Sequence, residues 1–295
     1  MAKLARRLPD NVEGEFYVDH SCIDCGACRW IAPATFGERG DLSVVVHQPT
    51  TREERIRAIK ALIACPTASI GTTSKLDMPS DDALYPDPVE DGVYHCGYHA
   101  RASYGAASWL IVRPEGNVMI DSPRFATQLI KRIEALGGIR TIFLSHRDDV
   151  ADHQKFRDHF GCERIMHADD LGWNVRKVER PIEGTDPVQL DPELAIIPMP
   201  GHTKGSMCLL YRDKFLFAGD HVSWERDADT IRASRSVCWY DWNELLRSMA
   251  RLAEYRFEWI LPGHGAPGHR PAAEMTRAIR EWTAAEGVKA VLTRN

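Results

Sequence analysis

The sequence predicts an α/β fold preceded by a small α+β domain, on three observations. Four cysteines are concentrated in the first 65 residues. An acidic stretch with three prolines and no apolar periodicity follows at residues 74–92, and this composition is typical of a linker. From about residue 92, short apolar runs alternate with helical stretches, which is the pattern of an α/β fold. We therefore predict a first domain at residues 1–75, a linker at 76–91 and a second domain at 92–295.

Composition and charge narrow the functional class. The chain has 295 residues, of which 44% are hydrophobic and 27% charged, and its formal net charge is −5. It contains no run of Lys or Arg for a nucleic acid or a membrane surface, and no apolar segment approaches the ~20 residues of a membrane span. The basic N-terminus lacks the apolar run of a secretory signal. We expect a cytoplasmic protein that binds neither nucleic acid nor membrane.

The first domain contains a cysteine pattern typical of an iron–sulfur cluster. Cys22, Cys25 and Cys28 are spaced as C-x2-C-x2-C, and a proline follows Cys65 directly. Three thiolates at this spacing can wrap one face of a cubane, because Gly26 lets the backbone come close, and Cys65 closes the fourth corner. Disulfides are disfavoured in a reducing cytoplasm, and zinc usually takes two separated ligand pairs. The pattern therefore predicts a [4Fe-4S] cluster.

Residues 16–71 resemble a single-cluster bacterial ferredoxin. The likeness rests on the stretches CIDCGACRWIAPATF and ACPTASI. The cysteine at the middle of the triplet favours [4Fe-4S] over [3Fe-4S]. Between the two stretches, DLSVVVHQ predicts a strand, and TREERIRAIKALIAC predicts a helix that begins after Thr51 with a capping box to Glu54. This helix would deliver Cys65 to the cluster.

In the second domain, polar clusters end four apolar strands. A hairpin in SWLIVRPEGNVMIDSP, a helix in FATQLIKRIEALGG and a strand in IRTIFLSH lead to the first cluster. Strand ends hold side chains rigidly, whereas the loops that follow them are open to substrate. The clusters are His146 to His153, His202, Asp220 with His221, and His264.

The second domain resembles the metallo-β-lactamase fold superfamily. MPGHTKGS is similar to the superfamily's histidine motif, LFAGDH to its aspartate motif, LPGHG to its last histidine motif, and VMIDSP to the strand that carries an early structural aspartate. Over roughly residues 92–270, the resemblance implies a four-layered αββα sandwich with a metal cleft at one edge of its two sheets. The C-terminal helix in PAAEMTRAIREWTAAEG would be an added cover.

The resemblance also implies a site for one or two divalent metals. The implied ligands are His146 and His202 for a first metal, Asp152, His153 and His264 for a second, and Asp220 for both. Imidazole and carboxylate suit iron, zinc and manganese alike, so the ligand types leave the metal open. Two metals ~3.5–4 Å apart could hold a bridging hydroxide and lower its pKa.

The stretch LSHRDDVADH departs from the superfamily's H-x-H-x-D-H pattern. Asp148 stands where the second histidine is expected, and two extra residues precede the pair Asp152-His153. We prefer the alignment that keeps His146 and Asp148 in place and lets the loop bulge, because the alternative puts Val150 at a ligand position. Asp148 is then a metal ligand, a partner of a ligating histidine, or a helix N-cap.

The acid at position 148 bears on the choice of metal. A carboxylate in place of an imidazole makes the site harder and more anionic, which favours iron or manganese over zinc. The flavodiiron proteins, which are relatives in the superfamily, also use an acid at this position and are redox enzymes. The neighbouring Asp149 is predicted to be a cap or a solvated side chain.

Three functions fit these observations. In the first, the cluster feeds electrons to a mono- or dinuclear iron site that acts on a small molecule, with Asp220 and Asp148 as candidate catalytic residues. The second is a zinc- or iron-dependent hydrolase of an ester, thioester, lactone or phosphodiester, whose cluster is structural or sensory. The third, a carrier with a decayed metal site, is disfavoured by the retained ligand motifs. We favour the redox function, because a ferredoxin moves single electrons and a hydrolase needs none.

The expected partners are a small-molecule substrate and, for the redox function, a redox partner protein. Electron transfer requires the cluster to lie near the metal cleft of the same chain or of a partner subunit, so a homo-oligomer is compatible with it. Three aromatic residues, Trp239, Tyr240 and Trp242, form either a wall for the substrate or an anchor for the following helix.

Overall fold

The structure, a computed structural model, describes residues 2–80, 83–172 and 174–292. Residues 81 and 82, which belong to the predicted linker, lie outside the described residues. The chain divides into two compact units, residues 1–142 with 150–162 and residues 143–149 with 163–295. The elements form a mixed α/β fold with several sheets, as predicted. None of the described helices is long and apolar enough to cross a membrane.

The first unit combines two short strand pairs, a four-stranded antiparallel sheet and four helices. Its elements, with the strand β9 that runs into the second unit, are β1 (Phe16–Val18), α1 (Ala27–Ile31), β2 (Phe36–Arg39), β3 (Leu42–Val45), α2 (Arg52–Ala64), β4 (Ile70–Thr72), β5 (Asp87–Glu90), β6 (Val93–His95), β7 (Trp109–Ile111), β8 (Val118–Ile120), α3 (Thr127–Ala135), β9 (Thr141–Phe143) and α4 (His153–Phe160). Strands β1 and β4 pair, as do β2 and β3, and the sheet has the order β5-β6-β7-β8.

Local sequence signals explain the elements of this unit. Thr51 Oγ1 accepts a hydrogen bond from Glu54 N at 3.1 Å, and the Glu54 carboxylate accepts one from Thr51 N at 3.2 Å. This is the predicted capping box, which satisfies two otherwise unpaired amides at the start of α2. The predicted hairpin is confirmed by the antiparallel pair β7 and β8, and the predicted strand in DLSVVVHQ by β3.

The segment predicted as a linker is partly structured. Leu84 and Tyr85 are buried, and β5 pairs with β6. The Tyr85 hydroxyl donates to Lys60 O at 3.1 Å, and Lys60 Nζ lies 2.7 Å from Asp87 Oδ1. Helix α2 is therefore joined to β5, and the first compact unit extends well beyond the predicted domain boundary.

Aromatic and imidazole rings form a second set of contacts in this unit, in addition to those between α2 and β5. The Trp30 ring, in α1, lies 4.8 Å from the His95 ring and 6.3 Å from the Trp109 ring. His95 Nε2 and His99 Nε2 are 2.8 Å apart, and His99 Nδ1 lies 2.7 Å from Gly105 O. The cysteine-rich part and the sheet β5–β8 thus share buried contacts.

The second unit contains a six-stranded sheet, a parallel strand pair, a hairpin and two helices. Its elements are β10 (Glu163–His167), β11 (Arg180–Ile182), β12 (Val188–Asp191), β13 (Leu194–Pro198), β14 (Met207–Tyr211), β15 (Phe215–Gly219), β16 (Ser223–Glu225), β17 (Thr230–Arg232), α5 (Trp242–Leu252), β18 (Trp259–Pro262), β19 (Gly268–His269) and α6 (Ala272–Leu292). The sheet has the order β12-β13-β14-β15-β18-β19, in which only β15 and β18 run parallel.

Helices α5 and α6 pack on this sheet. Leu245 and Met249 of α5 and Met275 and Ile279 of α6 belong to one buried cluster with apolar side chains of the strands. Burial of each such side chain contributes about 1.5–3 kcal/mol, which holds the strands in fixed positions. The polar loops that follow these strands therefore begin at fixed positions in the sheet.

Candidate metal sites

Four cysteines of the first unit line one small cavity. Cys22 and Cys25 precede α1, Cys28 lies within α1, and Cys65 caps the C-terminus of α2. Gly26 has a φ of 72°, in the left-handed region that glycine tolerates, and so turns the loop between the cysteines. None of the four forms a disulfide. The structure thus brings together the four predicted cluster ligands.

The surroundings of these thiols fit a metal cluster. Burial raises the pKa of Cys25 to about 11 and that of Cys28 to about 12. Such thiols are unreactive by themselves and lose their protons on binding a cation. The backbone amide of Ser69 donates to Cys65 Sγ at 3.2 Å, and a hydrogen bond of this kind stabilises negative charge on sulfur.

A loop outside the cysteine motif lies against Cys25. Gly105 has a φ of 89°, and a Cβ at this position would lie 2.7 Å from Cys25 Cβ and 2.9 Å from its sulfur. The hydroxyl of the neighbouring Tyr104 donates to Ile23 O. The segment around Gly105 therefore adjoins the cysteine motif.

The second unit carries histidine and aspartate side chains at the ends of its strands. His146 follows β9, His202 lies between β13 and β14, Asp220 directly follows β15, and His264 follows β18. His146 and His202 are buried, whereas His264 is partly exposed. The strand-end placement that the sequence predicts is observed for these residues.

Asp220 lies at the centre of this arrangement. Its Oδ2 atom is 3.7 Å from His146 Nε2, 3.7 Å from His202 Nε2 and 3.9 Å from His264 Nε2. One carboxylate oxygen therefore faces three imidazole nitrogens.

Asp148 and Asp149 face different histidines around this centre. Asp148 Oδ2 lies 3.5 Å from His202 Nε2 and 3.9 Å from His146 Nε2, and its side chain is 38% exposed. Asp149 is buried, and its Oδ1 lies 3.7 Å from His264 Nε2. Adjacent residues of the chain thus supply a carboxylate to each side of Asp220.

Ligand atoms of these residues form two compact groups. Within each group, the atoms all lie within 4.8 Å of one another. The first group is His146, Asp148 and His202, and the second is His146, Asp149 and Asp220.

Protonation states and unsatisfied atoms fit a cation. Burial lowers the pKa of His146 to about 4, so its imidazole is neutral. The contact with His202 lowers the pKa of Asp148. Burial acts to raise the pKa of Asp220, but His264 and the other nearby imidazoles together outweigh it, so this pKa is lowered as well. Within the described residues, Nε2 of His146 and Nε2 of His202 have no hydrogen-bond partner. Neutral imidazoles and ionised carboxylates are the forms that bind metals.

Supporting hydrogen bonds fix the ligand loops. Ser145 Oγ lies 2.9 Å from His146 Nδ1, which directs Nε2 of the same ring toward Asp220. The buried Asp170 accepts hydrogen bonds from Thr203 Oγ1 at 2.5 Å, Gly205 N at 2.9 Å and Arg147 N at 3.1 Å. It therefore ties the loop of His146 to the loop of His202, a role that no sequence signal indicated.

The predicted ligands Asp152 and His153 have other surroundings. They belong to the first compact unit, and neither is in the two groups of ligand atoms found among the described residues. Asp152 Oδ2 accepts a hydrogen bond from Phe125 N at 2.8 Å, and its Oδ1 lies 2.8 Å from Lys155 Nζ at the start of α4. The structure places Asp149 beside His264 instead. Spacing alone could not find it, because neither alignment of LSHRDDVADH puts Asp149 at a ligand position.

Comparison with known proteins agrees with the cysteine site. Residues 18–72 match the family model of the 4Fe-4S single cluster domain of Ferredoxin I. This range includes all four cysteines of the cavity. The chain therefore has a single-cluster [4Fe-4S] domain, as the sequence predicts. No curated protein matches the chain.

Solved structures identify the fold of the remainder as the metallo-β-lactamase fold. BLEG-1, a B3 metallo-β-lactamase, is 17% identical with a TM-score of 0.50, and the match covers 60% of this chain and 93% of BLEG-1. VMB-1 is 16% identical with a TM-score of 0.51, and the match covers 68% of this chain and 96% of VMB-1. A metallo-β-lactamase family protein from Thermus thermophilus is also 16% identical, with a TM-score of 0.51, and the match covers 68% of this chain and 81% of that protein. At these identities the likeness shows the fold alone.

Proposed function

We propose that the protein is a redox metalloenzyme. Its [4Fe-4S] domain would supply electrons to a mono- or dinuclear iron site that acts on a small molecule. The observation that carries this proposal is the group of His146, His202 and Asp148, with ligand atoms within 4.8 Å of one another. Two imidazoles and one carboxylate are the ligand set of non-haem iron oxygenases, which leaves further positions for substrate. The cluster domain on the same chain supports the choice, since such a cluster transfers single electrons.

The two candidate catalytic carboxylates would have different roles. Asp220, central to three imidazoles, would bridge two metals, and Asp149 with His264 would complete the second position. Asp148 is ionised at neutral pH, because its contact with His202 lowers its pKa. It would therefore act as a ligand of a hard, anionic site and not as a proton donor.

The redox proposal also specifies partners and a location. A redox partner protein would donate electrons to the cluster domain one at a time. A small-molecule substrate in its oxidised form would take up two of these electrons and two protons and leave as the reduced product. We place this reaction in the cytoplasm, where reducing conditions keep cysteines available to iron.

A zinc- or iron-dependent hydrolase is the second candidate, with a structural or sensory cluster. The position of Asp220 Oδ2, 3.7–3.9 Å from three imidazole nitrogens, favours it. Two metals bridged there would bind and activate a water for attack on an ester, thioester, lactone or phosphodiester. Similar proteins named metallo-β-lactamases agree with this candidate in fold only.

Metal content separates the two candidates. Iron, zinc and labile sulfide would be measured per chain, on full-length protein purified without oxygen. The redox proposal expects about four sulfides, more than about four irons and little zinc. About four irons with one or two zincs would favour the hydrolase instead.

Matched variants assign the metals to their sites. His202→Ala should lower the iron by at least one per chain and leave the sulfide unchanged, whereas Cys65→Ala should lower the sulfide. Asp158→Asn, at an exposed acid on α4, is the control. If His202→Ala leaves every metal at its original level, the histidine and aspartate cluster is not a metal site and both candidates fail.

A further inference from the structure

Three exposed hydrophobic side chains occur together in a short loop before α5. Trp239 is 59% exposed and Tyr240 is 48% exposed, and Val237 is also exposed. Clustered apolar surface of this kind marks binding sites. Trp242, which is close in sequence, differs: its ring lies 6.1 Å from that of Trp282 in α6, so it anchors the helix.

The loop is fixed to the backbone of a candidate metal ligand. Trp239 N at 2.8 Å and Tyr240 N at 3.0 Å both donate to His202 O, and Asp241 N donates to Gly201 O at 3.1 Å. The two aromatic side chains are exposed, but their backbone is held in place. Because the backbone of this surface is already ordered, binding a ligand there costs little conformational entropy of the loop.

The aromatic surface lies close to the metal ligands. The Trp239 ring centroid is 6.4 Å from that of His202, whose Nε2 faces Asp148 and Asp220. We propose that Trp239 and Tyr240 form a platform for a planar, apolar substituent of the substrate, whose reacting group is held at the metal ligands. This inference rests on the proposed function, because it needs a metal at His202.

Charge around the platform favours an uncharged substituent. Two cations lie near Tyr240, and both are already paired. Lys204 Nζ is 2.9 Å from Asp169, and Arg247 is 2.5 Å from Glu244. These two cations are therefore already neutralised by carboxylates, and the exposed aromatic surface of Trp239 and Tyr240 is what remains to contact an aryl group.

Two hydroxamic acids test the platform without knowledge of the reaction. Acetohydroxamate and benzohydroxamate carry the same metal-binding group and differ in a methyl or a phenyl substituent. Their Kd values would be measured by isothermal titration on the metal-loaded, full-length protein. We expect benzohydroxamate to bind about tenfold more tightly, the effect of one good aromatic contact.

Variants locate the source of this preference. Trp239→Ala should remove most of the tenfold ratio and leave the Kd of acetohydroxamate and the metal content unchanged, whereas Trp239→Phe should retain most of it. Tyr240→Ala should reduce the ratio in part. Met78→Ala, at an exposed hydrophobic residue of the first unit, is the control and should change nothing.

The outcomes distinguish failure of the platform from failure of the proposed function. If acetohydroxamate binds and Trp239→Ala leaves the ratio unchanged, the platform is overturned and the metal site stands. If neither hydroxamate binds, the proposed metal site fails and the platform fails with it. A dimer that Trp239→Ala dissociates would assign this surface to a second copy of the chain instead.

Discussion

Replacement of Asp170 by asparagine should loosen the loops that carry the candidate metal ligands. The Asp170 carboxylate is buried and accepts hydrogen bonds from Thr203 Oγ1, Gly205 N and Arg147 N. Asparagine retains one acceptor oxygen and turns an NH2 group toward a backbone N–H. A hydrogen bond to a charged group contributes about 1.5–3 kcal/mol, and a buried donor left unsatisfied costs about 1–3 kcal/mol. We therefore expect Asp170→Asn to lower the free energy of unfolding by about 3 kcal/mol.

Chemical unfolding of the metal-free protein at pH 7, followed by circular dichroism, measures this change. Metal affinity should also fall by about 10- to 100-fold, as for other partners that orient metal ligands. Asp169→Asn is the matched control. Asp169 is more exposed and pairs with the exposed Lys204, so its loss should cost less than about 1 kcal/mol. Equal effects of the two substitutions would refute the idea that Asp170 holds the loops together.

Two further predictions concern single contacts. Hydrogen bonds from Arg164 lower the pKa of Glu179 from 4.5 to about 2. This shift corresponds to a stabilisation of about 3 kcal/mol without solvent screening. Because the Glu179 side chain is 31% exposed, we expect screening to reduce it to about 1 kcal/mol. The native protein should therefore have a higher free energy of unfolding than Glu179→Gln above pH 4.5, and this difference should disappear as the pH falls toward 2. A difference that does not depend on pH would contradict the ion pair of Glu179 with Arg164 as its cause. Gly105→Ala should reduce labile sulfide per chain, because its Cβ would lie 2.7 Å from Cys25 Cβ. Gly161→Ala has a similar strain, with a φ of 65°, but nothing within 4 Å, so an equal loss of sulfide there would refute the contact as the cause.

Features that depend on local chemistry could be predicted from the sequence. The capping box of Thr51 and Glu54 needs only neighbouring residues, and the cysteine triplet closes its own loop around Gly26. His202 and Asp220 could be predicted because each follows a strongly apolar strand. In these cases the chain near a residue determines where its side chain lies.

Features that depend on distant contacts could not be predicted. Asp149 and Asp148 are the same residue type and neighbours in the chain, so the sequence does not distinguish their roles. Only the contact with His264, from the loop after β18, shows that Asp149 faces a different histidine. Trp239 and Trp242 are equivalent in sequence, and only the contact of Trp242 with Trp282 in α6 distinguishes the partly buried ring from the exposed one. The alignment we preferred assigned Asp152 to the second metal and left Asp149 as a cap or a solvated side chain, whereas Asp149 Oδ1 lies 3.7 Å from His264 Nε2.

The contacts of Trp30 with His95 and Trp109 connect the cysteine loop to the sheet β5–β8. Since the binding free energy of a metal cluster adds to the folding free energy of the unit that contains it, cluster occupancy would stabilise these strands too. Loss of the cluster to oxidation or iron shortage would then raise the unfolded fraction of this unit, and degradation acts on unfolded chains. The cellular abundance of the protein would in this way follow the supply of iron, without any dedicated sensor.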